Sequence, residues 1–265
     1  MQATPSDVRT RLRWEIGIVL ALSFGAAGVR GIVIIIDRLT LPEALAEQTA
    51  TLNTSLADRS GFDLTYQLLG ILFGLAPVAL VAFLLWRARA PHLGALGLGR
   101  PLHGGRLRVG REVLAGVGLA ALIGIPGIAF YLITKAIGIN VTVVPTDLGA
   151  FWWTVPILIL RALQAALGEE LVVVAYLFDR LRRLGVGPVA TIVSSALLRG
   201  SYHLYQGFGG FLGNVVMGLV FGWAYQRWGR STPLIVAHWI LDIVSFVGYG
   251  LAVALWPALF AAPNP

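Results

Sequence analysis

Seven apolar stretches, each near the roughly 20 residues a helix needs to cross a bilayer, dominate this chain. They run approximately over 14–36, 65–86, 112–136, 151–178, 188–206, 210–228 and 233–256. Hydrophobic residues make up 57% of the 265, and charged residues only 12%. A soluble domain of this size could not cover its surface with so few charges. Lipid-exposed backbone must satisfy its own hydrogen bonds, so the expected fold is all-α, a polytopic transmembrane helical bundle of about seven spans. The alternation expected of barrel strands is absent. Gly248 and Gly250 leave a kink, or a short eighth helix, open in the last stretch. The first stretch is longer than a signal-peptide core and reads as an uncleaved span.

The charges lie between the spans. Basic residues cluster before the first span (Arg9, Arg11, Arg13), in the second connection (Arg87, Arg89, Arg100, Arg106, Arg108, Arg111), in the fourth (Arg180, Arg182, Arg183) and in the sixth (Arg227, Arg230). The first connection is acidic instead, with Glu43, Glu47, Asp58 and Asp63. Basic and non-basic connections alternate, which by the positive-inside rule predicts a multi-pass integral membrane protein with a cytoplasmic N-terminus. The net charge of +7 is thereby explained as a topology signal, and no nucleic acid partner is expected. With no cysteine, thiol catalysis, thiolate metal sites and disulfides are excluded. Small residues four apart mark expected helix contacts: Gly70/Gly74, Gly209/Gly213 and Gly218/Gly222.

Against this background, Glu169 and Glu170 stand out inside the fourth span. Ionised carboxylates are costly at bilayer depth, so they constitute a functional-site hypothesis. Gly185-Val186-Gly187-Pro188 reads as a helix stop followed by a start. Folding the chain about it as an antiparallel pair sets Glu169 and Glu170 opposite Leu204 and His203. A carboxylate beside an imidazole can take a proton from water and make it a nucleophile. The plainer alternative is an ion pair that pins two helices. His238 and Asp242, four apart, share one face of the last span. They could serve a developing carbonyl charge, with Asp242 orienting His238 or sharing its proton. Helix rise puts His238 only about 10–15 Å past the sixth-connection arginines, shallower than the other groups. No cofactor is favoured. Zinc stays an open alternative, with Glu169, His203 and His238 as its ligands, although the His-Glu-x-x-His signature is missing.

These residues resemble the CPBP family of intramembrane proteases, which includes CAAX proteases and bacteriocin-processing enzymes (the Abi family). Its motifs are Glu-Glu-x-x-x-Arg, Phe-x-x-x-His and His-x-x-x-Asn/Asp. Here they read Glu169-Glu170-Leu171-Val172-Val173-Val174, Arg199-Gly200-Ser201-Tyr202-His203 and His238-Trp239-Ile240-Leu241-Asp242. The resemblance divides the chain into an N-terminal transmembrane region (1–150, three spans plus the basic loop 87–111), a catalytic core of four spans (151–256) and a short tail (257–265). It implies hydrolysis of a peptide bond in a membrane-associated peptide or protein, within or beside the lipid bilayer. Glu169 would then be the general base, helped by His203, with Glu170 in support and His238 with Asp242 at the carbonyl oxygen.

Two positions depart from the family pattern. Val174 stands where the motif has arginine, and Arg199 where it has phenylalanine. The hairpin sets these two opposite each other. Two buried acids without a cation would tend to protonate, so Arg199 is expected to supply the charge that position 174 lacks, by pairing with Glu170. Arg161 and Arg30 are expected to be structural, Arg161 snorkelling or pairing with a glutamate and Arg30 facing another helix. The rival readings are a catalytically inactive scaffold of the same fold and a proton-coupled transporter.

Overall fold

The computed structural model describes residues 5–99, 109–248 and 255–256. Arg100, Arg106, Arg108, Gly250 and the tail 257–265 lie outside them. The chain opens with α1 (Pro5–Ala21) and α2 (Phe24–Thr40), which together form one apolar run bent by 56° at the break between them. The expected first span is therefore a broken pair. Next come α3 (Ser60–Gly74) and α4 (Ala76–Leu84), then the 28-residue α5 (Val109–Ala136). Helix α6 (Thr154–Gly168) continues through a π-helix (Glu169–Tyr176) into α7 (Leu177–Arg183). The last third is α8 (Pro188–Ser201), α9 (Phe208–Trp228) and α10 (Thr232–Ile243), with a second π-turn over Val244–Gly248.

The fold is an all-α bundle, as its apolar stretches require. Among the described residues, Ser60–Leu84, Val109–Ala136 and Phe208–Trp228 are long and apolar enough to cross a membrane, and the bent pair makes a fourth. Of the other expected spans, the fourth lies in the continuous helical run from Thr154 to Arg183, the fifth in α8, and the last in the shorter helix Thr232–Gly248. The fifth stops at Ser201, five residues before its expected end.

One element has no counterpart in the sequence reading. β1 (Thr49–Asn53) and β2 (Thr142–Thr146) pair in parallel, with Ala50 opposite Val143 and Thr51 opposite Val144. This ribbon joins the first connection to the third. An antiparallel bridge from Asn140 to Gly207 adds the fifth. At the other end of the bundle, Arg180 joins Glu15 of α1 to the carbonyl oxygen of Leu84, and Gln226 donates to the Pro188 carbonyl. Connections thus sort alternately to a ribbon end and a basic end.

The expected glycine contacts are present at α9. A Cβ on Gly218 would sit 2.8 Å from the Ala196 backbone, and one on Gly222 3.1 Å from Ile192 and Phe178, so α8 and α9 approach closely there. The apolar core around Val174, Phe178, Phe221, Ala224, Leu234 and Ala237 lies next to that contact.

The turn between α9 and α10 is sunk into the protein. Arg230 and Ser231 are buried, and Arg230 pairs with Glu112 of α5. Ser231 donates to the Leu96 carbonyl. Gly97, at φ +73, comes so near that a Cβ would lie 2.8 Å from the Ser231 nitrogen. Removing one partner of a buried ion pair weakens the compensation of the other charge. Glu112→Ala is therefore expected to destabilise the protein by about 3–5 kcal/mol. Thermal unfolding in detergent checks this, and an unchanged midpoint would contradict it.

Candidate active site

The two acids stand at the start of the π-helix. Its i→i+5 pairing is wider than that of an α-helix, a feature often found at functional sites. Ser195 of α8 donates to the Val173 carbonyl at 2.8 Å, fastening α8 to the middle of this segment. The Glu170 side chain is fully buried and that of Glu169 is nearly so.

Helix α8 brings the groups that meet these carboxylates. The Arg199 guanidinium lies between them, with Nη2 donating to Glu170 Oε1 at 2.6 Å and Nη1 3.2 Å from Glu169 Oε2. It is completely buried and lies over the Phe221 ring of α9, 5.6 Å from its centroid. Such a charge is tolerated because two opposite charges and an aromatic face replace its water. Tyr202 Oη donates to Glu169 Oε2 at 2.8 Å. His203 Nε2 stands 3.8 Å from Glu169 Oε1, beyond a direct hydrogen bond but within reach of one water bridging the pair. Its side chain is 19% exposed, although both ring nitrogens are buried.

Helix α10 closes the other side. His238 Nδ1 lies 2.8 Å from Glu170 Oε1, and Nε2 lies 3.4 Å from Asp242 Oδ2. With a proton on each nitrogen, the ring donates to Glu170 and stands within ion-pair range of Asp242. Asp242 is the most exposed acid of the group, at 21%.

The structure brings Glu169, Glu170, Arg199, His203, His238 and Asp242 into one cluster. His238 reaches it, although helix rise makes it shallow, because the whole start of α10 is drawn inward by Arg230 and Ser231. The pairing across the hairpin differs from a regular antiparallel fold-back. Glu169, not Glu170, lies by His203, while Glu170 lies a turn away at Arg199. The extra residues per turn of the π-helix shift the register.

The sequence reading assigned no role to Tyr202. The only available signal was a phenol next to the motif histidine. Arg161 pairs with no glutamate; its Nη2 donates to Gln67 of α3 at 2.9 Å. Arg30 is exposed on α2 and does not face into the bundle.

As arranged, the side chains do not fit a zinc ion on Glu169, His203 and His238. His238 Nδ1 is taken by Glu170, and the Arg199 cation lies 3.2 Å from Glu169 Oε2. Among the described residues, no group of three or more histidines and acids has metal-binding geometry.

The segment that carries the cluster matches a family model. Residues 151–244 fit the description "Type II CAAX prenyl endopeptidase Rce1-like". This segment is Rce1-like. The match begins just before α6 and ends just after α10, so all six site residues of the Rce1-like segment fall within it. It agrees with the resemblance to CPBP proteases drawn from the three motifs. Together with the apolar helices, it makes the chain an integral membrane protein. No curated protein and no solved structure matches the chain.

Proposed function

We propose that the chain is an intramembrane endopeptidase of the CAAX type, cutting a peptide bond in a membrane-associated substrate with water activated by Glu169. The observation that carries this reading is the asymmetry between the two acids. Glu170 is fully buried, its Oε1 held by both Arg199 and His238. Glu169 keeps Oε1 directed toward His203 on the exposed side of the cluster.

In the proposed reaction, a water between Glu169 Oε1 and His203 Nε2 gives a proton to Glu169, and its oxygen attacks the scissile carbonyl carbon. Tyr202 and Arg199 hold the carboxylate in place and balance its charge. His238 Nε2 then donates to the developing oxyanion, the substrate oxygen displacing Asp242 from a contact that is already loose at 3.4 Å. As the C–N bond breaks, the proton carried by Glu169 passes to the leaving amine. Asp242 orients His238 before the substrate arrives, and Glu170 on Nδ1 holds the ring once Asp242 is displaced. The charge alternation supports an N-terminus in the cytoplasm and seven crossings.

The test is comparative membrane peptidomics of cells with wild-type protein and with Glu169→Ala. We expect at least one membrane-associated polypeptide to persist uncut in the variant. Identical peptide profiles would favour an inert scaffold and end the protease reading.

A further inference from the structure

Arg161 belongs to no part of the catalytic cluster. It lies on α6, eight residues before Glu169, and its guanidinium leans toward α3. Its partner there, Gln67, is neutral. The Gln67 amide in turn donates to Asp63 Oδ1 at 3.1 Å and to the Thr54 carbonyl at 3.0 Å. Asp63 is otherwise satisfied by Ser55 Oγ and the Leu56 N–H, each at 3.0 Å. Among the described residues, no carboxylate forms an ion pair with Arg161.

Gly70 makes room for this charge: a Cβ there would lie 2.8 Å from Arg161 Nη2. The same glycine lines a groove of about 430 Å³ with Leu56, Tyr66, Leu69 and Phe73. All four of these side chains are exposed on the outward face of the bundle. Gly70 is ten residues into α3, about 15 Å along the helix from its start at Ser60. An uncompensated cation at that depth is costly, and its long stem allows it to meet an anion drawn in from the interface. A guanidinium matches the oxygens of a phosphate two at a time, and an apolar groove beside it matches an acyl chain.

We propose that this groove is a binding site for a phospholipid. Its chain lies along Tyr66, Leu69 and Phe73, and its phosphate is drawn in to Arg161. The lipid supplies the negative charge that the protein does not. This site is separate from the catalytic reading and stands or falls without it.

Native mass spectrometry of the detergent-purified protein tests the proposal without any substrate. Wild type is expected to keep one phospholipid per chain through delipidation. Arg161→Gln is expected to lower the retained fraction roughly tenfold or more, as loss of a charged hydrogen bond implies. Arg30→Gln, which removes an exposed arginine of α2, is expected to change nothing. Equal retention by Arg161→Gln and wild type, or equal loss in Arg30→Gln, would overturn the proposal. A second measurement needs no variant. Dihexanoyl phosphatidic acid should raise the unfolding midpoint of the wild type saturably, and dihexanoylglycerol should not. A matching response to both, or to neither, would likewise overturn it.

Discussion

Arg199→Val is expected to abolish proteolysis and to destabilise the protein by about 3–5 kcal/mol, the cost of leaving buried charge without its partner. The guanidinium is completely buried and touches both acids, so its loss leaves two carboxylates facing each other in an apolar bundle. One of them would then take up a proton. If that is Glu169, the base is lost; if Glu170, the hold on His238 changes. A cation returned from the facing helix should repair this in part. Val174 is fully buried in the apolar cluster that contains Phe221, and Phe221 is the ring over which Arg199 lies. The double variant Val174→Arg/Arg199→Val is therefore expected to recover measurable cleavage, and Val174→Arg alone to be strongly impaired by a second cation. Cleavage rates and unfolding midpoints of the three proteins decide the matter. If the double variant is no better than Arg199→Val, the two positions do not exchange one charge.

The pairing of Arg199 with Glu170 was readable in the sequence because it needed only chain order, one turn and charge balance. The glycines and proline at 185–188 marked the turn, and antiparallel folding did the rest. The all-α architecture was equally plain, since apolar stretches of span length admit little else in lipid. The fold-back register was not legible: it set Glu170 beside His203, because a π-helix looks like an α-helix in sequence, whereas charge balance pointed to Arg199 with Glu170 and the motif resemblance to His203 with Glu169. The depth of His238 was also hidden. It depends on Glu112 and Leu96, residues far from α10 in the chain that pull Arg230 and Ser231 inward. The ribbon was missed because five-residue strands inside polar connections carry no hydrophobic period long enough to detect. Arg161 could be seen as an intramembrane charge. That its partner is the neutral Gln67 could be known only once α3 was packed against α6.

Glu169→Gln is expected to lower the cleavage rate by about 10²- to 10⁴-fold, the range that a positioned general base contributes. Its fold should survive. A glutamine oxygen can still accept the Tyr202 hydroxyl, and removing one of two adjacent negative charges relieves repulsion. The unfolding midpoint should therefore stay near that of the wild type, in contrast to Arg199→Val. Tyr202→Phe separates positioning from chemistry. It removes one hydrogen bond to a charged group, worth about 1.5–3 kcal/mol, and leaves the base in place. Its rate loss should be about 10- to 100-fold, smaller than that in Glu169→Gln. The order matters more than the individual values. If Glu169→Gln keeps activity within tenfold of the wild type while Tyr202→Phe does not, the proton goes elsewhere. Glu169 would then be a structural counter-ion to Arg199, and the catalytic assignment would have to move to the exposed pair, His203 and Asp242.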